Sequence, residues 1–428
     1  QQFFETRPWN PRVGSSFALG VDGISLPMVL LSTVLCFVAM LASGGIKVGA
    51  RLYFSLLLVL EAAMLGVFMA RDWSLFYVFW ELTLIPLFFL IDRMGGANRH
   101  RAALNFVLYT LGGSVFMLVA LLLLYDAAPG HSFAMADMAA GGAGLPHATQ
   151  LLVFAGLFVG FGVKMPVFPM HGWLPLAHVE APSPVSILLS GVLLKMGAYG
   201  LIRAAETLPG AVLDLQPALA ALAFFSLLYG GVLAWRQTDL KRMVAYSSVA
   251  HMGVVLLGIA TLNLTGLSGA VFQMTAHGYA AALMFLLVGI VYQRTHTREL
   301  GEIGALSATA PKLAFFFALA LLSAAGLPGS AGFVAELQVL VGGFARWQGW
   351  VVLLSLSVLI SAAYALRVVG RLCVGERPHA GPVADLVPAE RVAIGLLLVG
   401  IVGAGLWPAP LLALSAASLR NLVQLFGG

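Results

Sequence analysis

Charge is what this sequence has least of. Lys, Arg, Asp and Glu make up 10% of its 428 residues, where a soluble domain carries about 25%. That scarcity excludes an ordinary water-soluble globular protein. Cysteine is nearly absent too. Cys36 and Cys373 are the only two, too few for a four-thiolate iron–sulfur cluster, and no zinc-ligand spacing occurs. No GxxxxGK[ST] loop and no dinucleotide fingerprint after a strand is found, so neither ATP hydrolysis nor hydride transfer is expected within this chain. The net charge of +5 comes from basic residues clustered in short loops, a topology signal rather than a nucleic-acid surface.

What remains is apolar. Hydrophobic residues supply 60% of the chain, in runs long enough for helices of ~20 residues, not the ~10-residue alternating strands of a barrel. The reading is an all-α polytopic membrane protein with about twelve transmembrane helices. The spans are expected at 24–42, 50–70, 73–92, 102–125, 150–168, 183–204, 211–235, 242–261, 266–292, 312–340, 348–372 and 390–413, with the tail 414–428 along the interface. The opening stretch QQFFETRPWNPRVG carries no cleavable signal and no initiator methionine, so residues are expected upstream.

Orientation follows from counting cations. With the N-terminus outside, the inner loops hold Lys47, Arg51, Arg93, Arg99, Arg101, Arg236, Lys241, Arg242, Arg294, Arg298, Lys312, Arg367, Arg371, Arg377 and Arg391, which is 15 of the 23 basic residues. Arg7, Arg12, Arg71, Arg203, Arg346 and Arg420 fall outside, and the loop 126–149 has no Lys or Arg. The positive-inside rule therefore places the N-terminus on the outer side.

Two spans carry helix breakers, at KMPVFPMHGWLP (164–175) and GLPGSAGFVAE (326–336). Pro and Gly open the backbone there, which in lipid survives only where protein or water re-satisfies the freed groups. The breaks lie five spans apart, so their five-span units have opposite orientation. This predicts two inverted five-helix repeats, each with a discontinuous helix. The expected division is 1–49 (N-terminal segment and first span), 50–204 (first repeat), 205–372 (second repeat) and 373–428 (last span and tail).

Two lysines, Lys164 and Lys195, stand inside these apolar runs. A lysine at bilayer depth costs about 3 kcal/mol or more on insertion scales, so it is a functional candidate by default. Glu81 lies nine residues beyond Asp72, ~13 Å into its span, and Glu336 follows the second break. A carboxylate near Lys164 favours the charged form of both partners, so a pair of variable separation can take up and release a proton. Glu61 is a further intramembrane acid. His251 and His277 are candidate proton carriers. Tyr246, Ser247, Ser248 and Thr275 offer a polar file for water, although small residues also serve helix packing. His171 and His178 flank the Trp173-Leu174-Pro175 turn without the further ligands a metal needs, so no metal site is expected.

The stretches FYVFWELTLIPLFFLI (76–91), KMPVFPMHGWLPLAH (164–178), LLKMGAYGLIR (193–203), DLKRMVAYSSVAHMG (239–253), QMTAHGYAAALMF (273–285) and GLPGSAGFVAEL (326–337) run in order through most of the chain. In them the sequence resembles the antiporter-like membrane subunits of respiratory complex I (NADH-quinone oxidoreductase), most nearly the M type. The resemblance implies that Glu81 and Lys164 form a modulating ion pair. It makes Lys195 the connecting lysine and His251 and His277 the central relay. Glu336 stands where sister subunits usually have lysine, which favours the M type.

The resemblance further implies a proton-translocating subunit of a bacterial inner-membrane enzyme, with other complex I membrane subunits as partners, in particular the neighbouring antiporter-like ones. FMN, iron–sulfur clusters and quinone are expected in partner subunits, and no cofactor in this chain. Two departures stand out: about two N-terminal spans of the fourteen-helix pattern are missing from this sequence, and VEAPSPVSILLSG (179–191) adds Pro184. A cation/proton antiporter subunit, the membrane subunit of a membrane-bound hydrogenase and a structural scaffold stay open as alternatives.

Overall fold

The computed structural model describes residues 2–376 and 382–427; Arg377, one of the inner-loop cations, lies outside them. A two-stranded antiparallel hairpin opens the chain, β1 (Gln2–Asn10) against β2 (Ser15–Val21). It adds strands to an otherwise helical reading. Gly14 turns the corner at φ 61°, where a Cβ would lie 2.1 Å from the His131 carbonyl oxygen, so only glycine fits.

The helices follow in order: α1 (Ser25–Ala42), α2 (Ala50–Met69), α3 (Trp73–Leu82), α4 (Leu84–Met94), α5 (Arg99–Ala127), α6 (Met135–Gly144) and α7 (His147–Lys164). After the first break come α8 (Trp173–Glu180), α9 (Ser183–Leu188), a π-helical turn (Leu189–Leu193) and α10 (Leu194–Thr207). The chain continues with α11 (Pro209–Arg236), α12 (Leu240–Ala260), α13 (Leu264–Thr295), the short α14 (Leu306–Thr309), α15 (Pro311–Ala324) and α16 (Ala331–Trp347). It closes with α17 (Trp350–Val369), a second π-helical turn (Gly370–Val374), α18 (Pro388–Leu406) and α19 (Ala409–Gln424).

Eleven helices among the described residues are long and apolar enough to cross a membrane. The expected span 312–340 is two shorter pieces, because Gly326 and Gly329 take positive φ (85° and 92°) on either side of Pro328, and the helical ladder cannot pass through them. The expected span 390–413 likewise ends at Leu406, and Ala409–Gln424 forms the separate α19.

Burial sorts the helices. The α9–α10 unit is wholly buried over its apolar window, and α12 and α13 are 94% buried. The other spans are at most half buried, and they surround these three. Polar groups carried by this central trio are therefore shielded from lipid on every side. Both cysteines are buried and free.

Candidate functional site

Lys164 is the last residue of α7, and its side chain is 1% exposed. Its Nζ donates to Thr83 Oγ1 at 2.8 Å and to the Trp80 carbonyl at 3.4 Å, and it lies 4.4 Å from the Trp80 ring centre. Both acceptors sit where α3 gives way to α4 at Thr83; Pro86, with no N–H to donate, loosens the ladder there by leaving the Leu82 carbonyl without its partner. The expected Glu81–Lys164 ion pair is not closed here. Trp80 and Thr83 share one helix face, and Glu81 is turned about 100° from Trp80. Glu81 Oε1 is buried without a hydrogen-bond partner, and no ion pair joins its carboxylate to the Lys164 ammonium.

The break after Lys164 is re-satisfied by protein. Val167 N donates to the Gly162 carbonyl, Trp173 Nε1 to the Val163 carbonyl, and Phe168 N to Ser226 Oγ. Close packing ties this corner to α10. A Cβ on Gly197 would lie 2.6 Å from the Phe161 carbonyl oxygen and 2.7 Å from Met165 N, so that glycine lets the lysine-bearing helix reach the end of α7.

Lys195 is fully buried, and it is not the isolated cation its apolar neighbours suggest. Its Nζ donates to the Ser190 carbonyl at 2.6 Å and lies 2.7 Å from His277 Nδ1. The π-helical turn over Leu189–Leu193 breaks the regular ladder just before it, as such turns do at functional sites, and Lys195 takes up the Ser190 carbonyl. From His277 the bonds continue: Nε2 is 3.2 Å from Ser248 Oγ, which is 2.9 Å from Ser190 Oγ. Lys195, His277 and Ser248 belong to α10, α13 and α12, the three buried central helices.

The two histidines are neighbours, with ring centres 5.1 Å apart. His251 Nδ1 faces the Ser247 carbonyl at 2.8 Å and Nε2 the Ala324 carbonyl at 2.9 Å. A neutral imidazole donates to one of these acceptors, an imidazolium to both. Glu336 Oε1 stands 3.6 Å from His251 Nε2, a counter-ion for the proton when it is there. The second break creates this geometry: Ala324 ends α15, which frees its carbonyl, and Glu336 lies on α16 just beyond the gap. Lys195, His277, His251 and Glu336 therefore form one series across the core. Glu81 and Lys164 form a second group at the first break.

Several contributors carry no sequence signal. Thr83 and the carbonyls of Trp80, Ser190 and Ala324 hold the charged groups, and none stands out among apolar neighbours. His178 is fully buried against Phe285 (ring centres 4.5 Å apart), with both ring nitrogens unpartnered. His171 stacks on Phe168. No cluster of metal-ligating side chains occurs among the described residues. Lys241, counted as an inner-loop cation, is buried with its Nζ on the Ala181 carbonyl. Glu61 is half buried on α2.

The family described as NADH:quinone oxidoreductase/Mrp antiporter, TM, matches residues 70–361. NAD(P)H-quinone oxidoreductase chain 4 2 of Thermosynechococcus vestitus is 41% identical over 420 residues, covering 95% of this chain and 78% of that protein. Among solved structures, a chain of respiratory complex I from Thermus thermophilus with bound NADH superposes with a TM-score of 0.92 at 33% identity, over 100% of this chain and 90% of that one. A chain of the Mrp complex from Dietzia superposes with a TM-score of 0.87 at 22% identity, over 99% and 89%, a likeness of fold alone.

Proposed function

This chain belongs to the NADH:quinone oxidoreductase/Mrp antiporter transmembrane family, and from that premise we propose that its buried Lys, His and Glu series carries protons across the membrane. Within the family it is an antiporter-like subunit of the chain 4 (M) type, a multi-pass membrane subunit of an NADH:quinone oxidoreductase complex that works beside other membrane subunits. The redox groups, FMN and iron–sulfur clusters together with quinone, belong on this reading to partner subunits. The membrane is the bacterial inner membrane, with the hairpin on its outer side, and 50–204 and 205–372 act as two inverted units.

The observation that carries the reading is the series Lys195–His277–His251 on the three helices that lipid does not reach, continued by Glu336 on α16. In the cycle a proton enters from the inner side to Lys195 while Glu81 and Lys164 are apart, the arrangement seen here. It passes through His277, Ser248 and water to His251, whose two ring nitrogens each face a carbonyl acceptor and so can both donate when the ring carries the proton. Closure of Glu81 on Lys164 then shifts the local charge and expels the proton outward.

The test is Lys195→Ala in the assembled complex, reconstituted in vesicles. Loss of proton uptake per NADH oxidised is expected, and full pumping would end the relay reading. Pumping that depends on sodium would instead favour a cation/proton antiporter role.

A further inference from the structure

A chamber of about 430 Å³ opens at the hairpin end of α10, closed over by the hairpin, α6 and α19. Asp22, Arg71, Arg203 and Glu206 form its charged wall, and a space of that size with such walls holds water. It lies on a direct line from the relay. Lys195, Tyr199 and Arg203 follow at four-residue intervals on α10, so they share one helix face. Eight residues at 1.5 Å put the Arg203 backbone about 12 Å along the helix axis from that of Lys195. Tyr199 stands between them, its hydroxyl donating to the Phe68 carbonyl at 3.1 Å and its ring 4.9 Å beneath the Arg203 guanidinium.

The buried part of this wall is positive. Arg203 and Arg71 both bond Asp22, Arg71 at 3.1 Å. The arginine side chains are 5% and 6% exposed, whereas Glu206, 2.8 Å from Arg203, is 47% exposed and solvated. Two guanidinium groups therefore face one buried carboxylate. Neither guanidinium gives up its proton in a protein, so this charge is fixed through any cycle. A water chamber one side chain away from a proton-carrying lysine is a route for protons to run back. Fixed cations are what bar protons from narrow water-filled passages.

We infer that Arg203, supported by Arg71, is an electrostatic seal that keeps protons in the hairpin-face chamber from returning to Lys195. The inference rests on the proposed role of Lys195. A unit charge about 12 Å from a proton in the passage, at an effective dielectric of about 20, changes that proton's occupancy about tenfold.

The experiment uses the complete complex in sealed vesicles, with no NADH, and follows the decay of an imposed pH gradient by dye fluorescence. Arg203→Gln is expected to speed the decay about tenfold, Arg203→Lys to keep the parent rate, and Lys195→Ala added to Arg203→Gln to restore it. A parent-like gradient in Arg203→Gln overturns the seal. Equal leaks from Gln and Lys overturn it in favour of a structural clasp. A leak that persists without Lys195 overturns the assignment to this path, while leaving the relay reading to its own pumping test. If Arg203→Gln does not assemble, Arg71→Gln against Arg71→Lys decides by the same criteria, with a smaller expected leak.

Discussion

His277 Nδ1 lies 2.7 Å from Lys195 Nζ, and the same ring reaches Ser248 through Nε2 at 3.2 Å. An ammonium at Lys195 requires Nδ1 to accept, which puts the ring proton on Nε2, aimed at the serine. A neutral lysine instead accepts from Nδ1. The contact is thus a bond through which a proton can change owner without either side chain moving. Replacing His277 by Gln keeps polar atoms for Lys195 and Ser248 but removes titration. Proton transfer through a positioned group is worth about 10²–10⁴-fold in rate. In His277→Gln, pumping coupled to NADH oxidation is expected to fall at least about tenfold, measured by dye quenching in vesicles. Assembly, read from the size of the purified complex, should be unchanged.

Thr83 holds Lys164 away from Glu81. Its hydroxyl accepts from Nζ at 2.8 Å and donates to the Trp80 carbonyl at 2.7 Å, so Thr83→Val removes the nearest acceptor of a buried cation. The unsatisfied group costs about 1–3 kcal/mol unless Lys164 turns to Glu81, whose Oε1 has no hydrogen-bond partner. Thr83→Val is therefore expected to close the pair and slow both pumping and quinone-linked NADH oxidation. Glu81→Gln should lower both as well, since no closed state remains. If Thr83→Val leaves both rates at the parent value, the open pair has no part in control.

The lysines and Glu336 are legible in the sequence because an ionisable group inside an apolar run is too costly to persist without a role. The two breaks are legible because Pro and Gly clusters act locally. What holds the charges is not. Whether Lys164 meets Glu81 or Thr83 depends on the rotation of α3 by a fraction of a turn, which apolar periodicity does not specify. Nothing in Leu189–Leu193 marks a π-helical turn, and so Lys195 reads as unpaired until its helix is placed against α13. The hairpin is hidden for a different reason: Pro8 and Pro11 and its exposed faces mask the alternation that marks a half-buried strand.

Asp22 ties the hairpin face together and sets its response to acid. Burial alone would raise its pKa, but Arg203 and Arg71, with the Ser25 N–H, hold the carboxyl well below the usual carboxylate range. A group whose folded value is depressed adds stability that is complete above its unfolded value, about 4, and that is lost as pH falls through the folded value. The hairpin should therefore resist proteolysis equally from pH 8 to pH 5 and loosen only in stronger acid. Asp22→Asn leaves two buried guanidinium groups without their shared partner, a loss of about 3–5 kcal/mol. The variant is expected to be cut between β1 and β2 already at neutral pH, with a rate that does not change as the medium is acidified. A parent protein whose hairpin becomes labile between pH 7 and pH 5 would show that a different group controls this face.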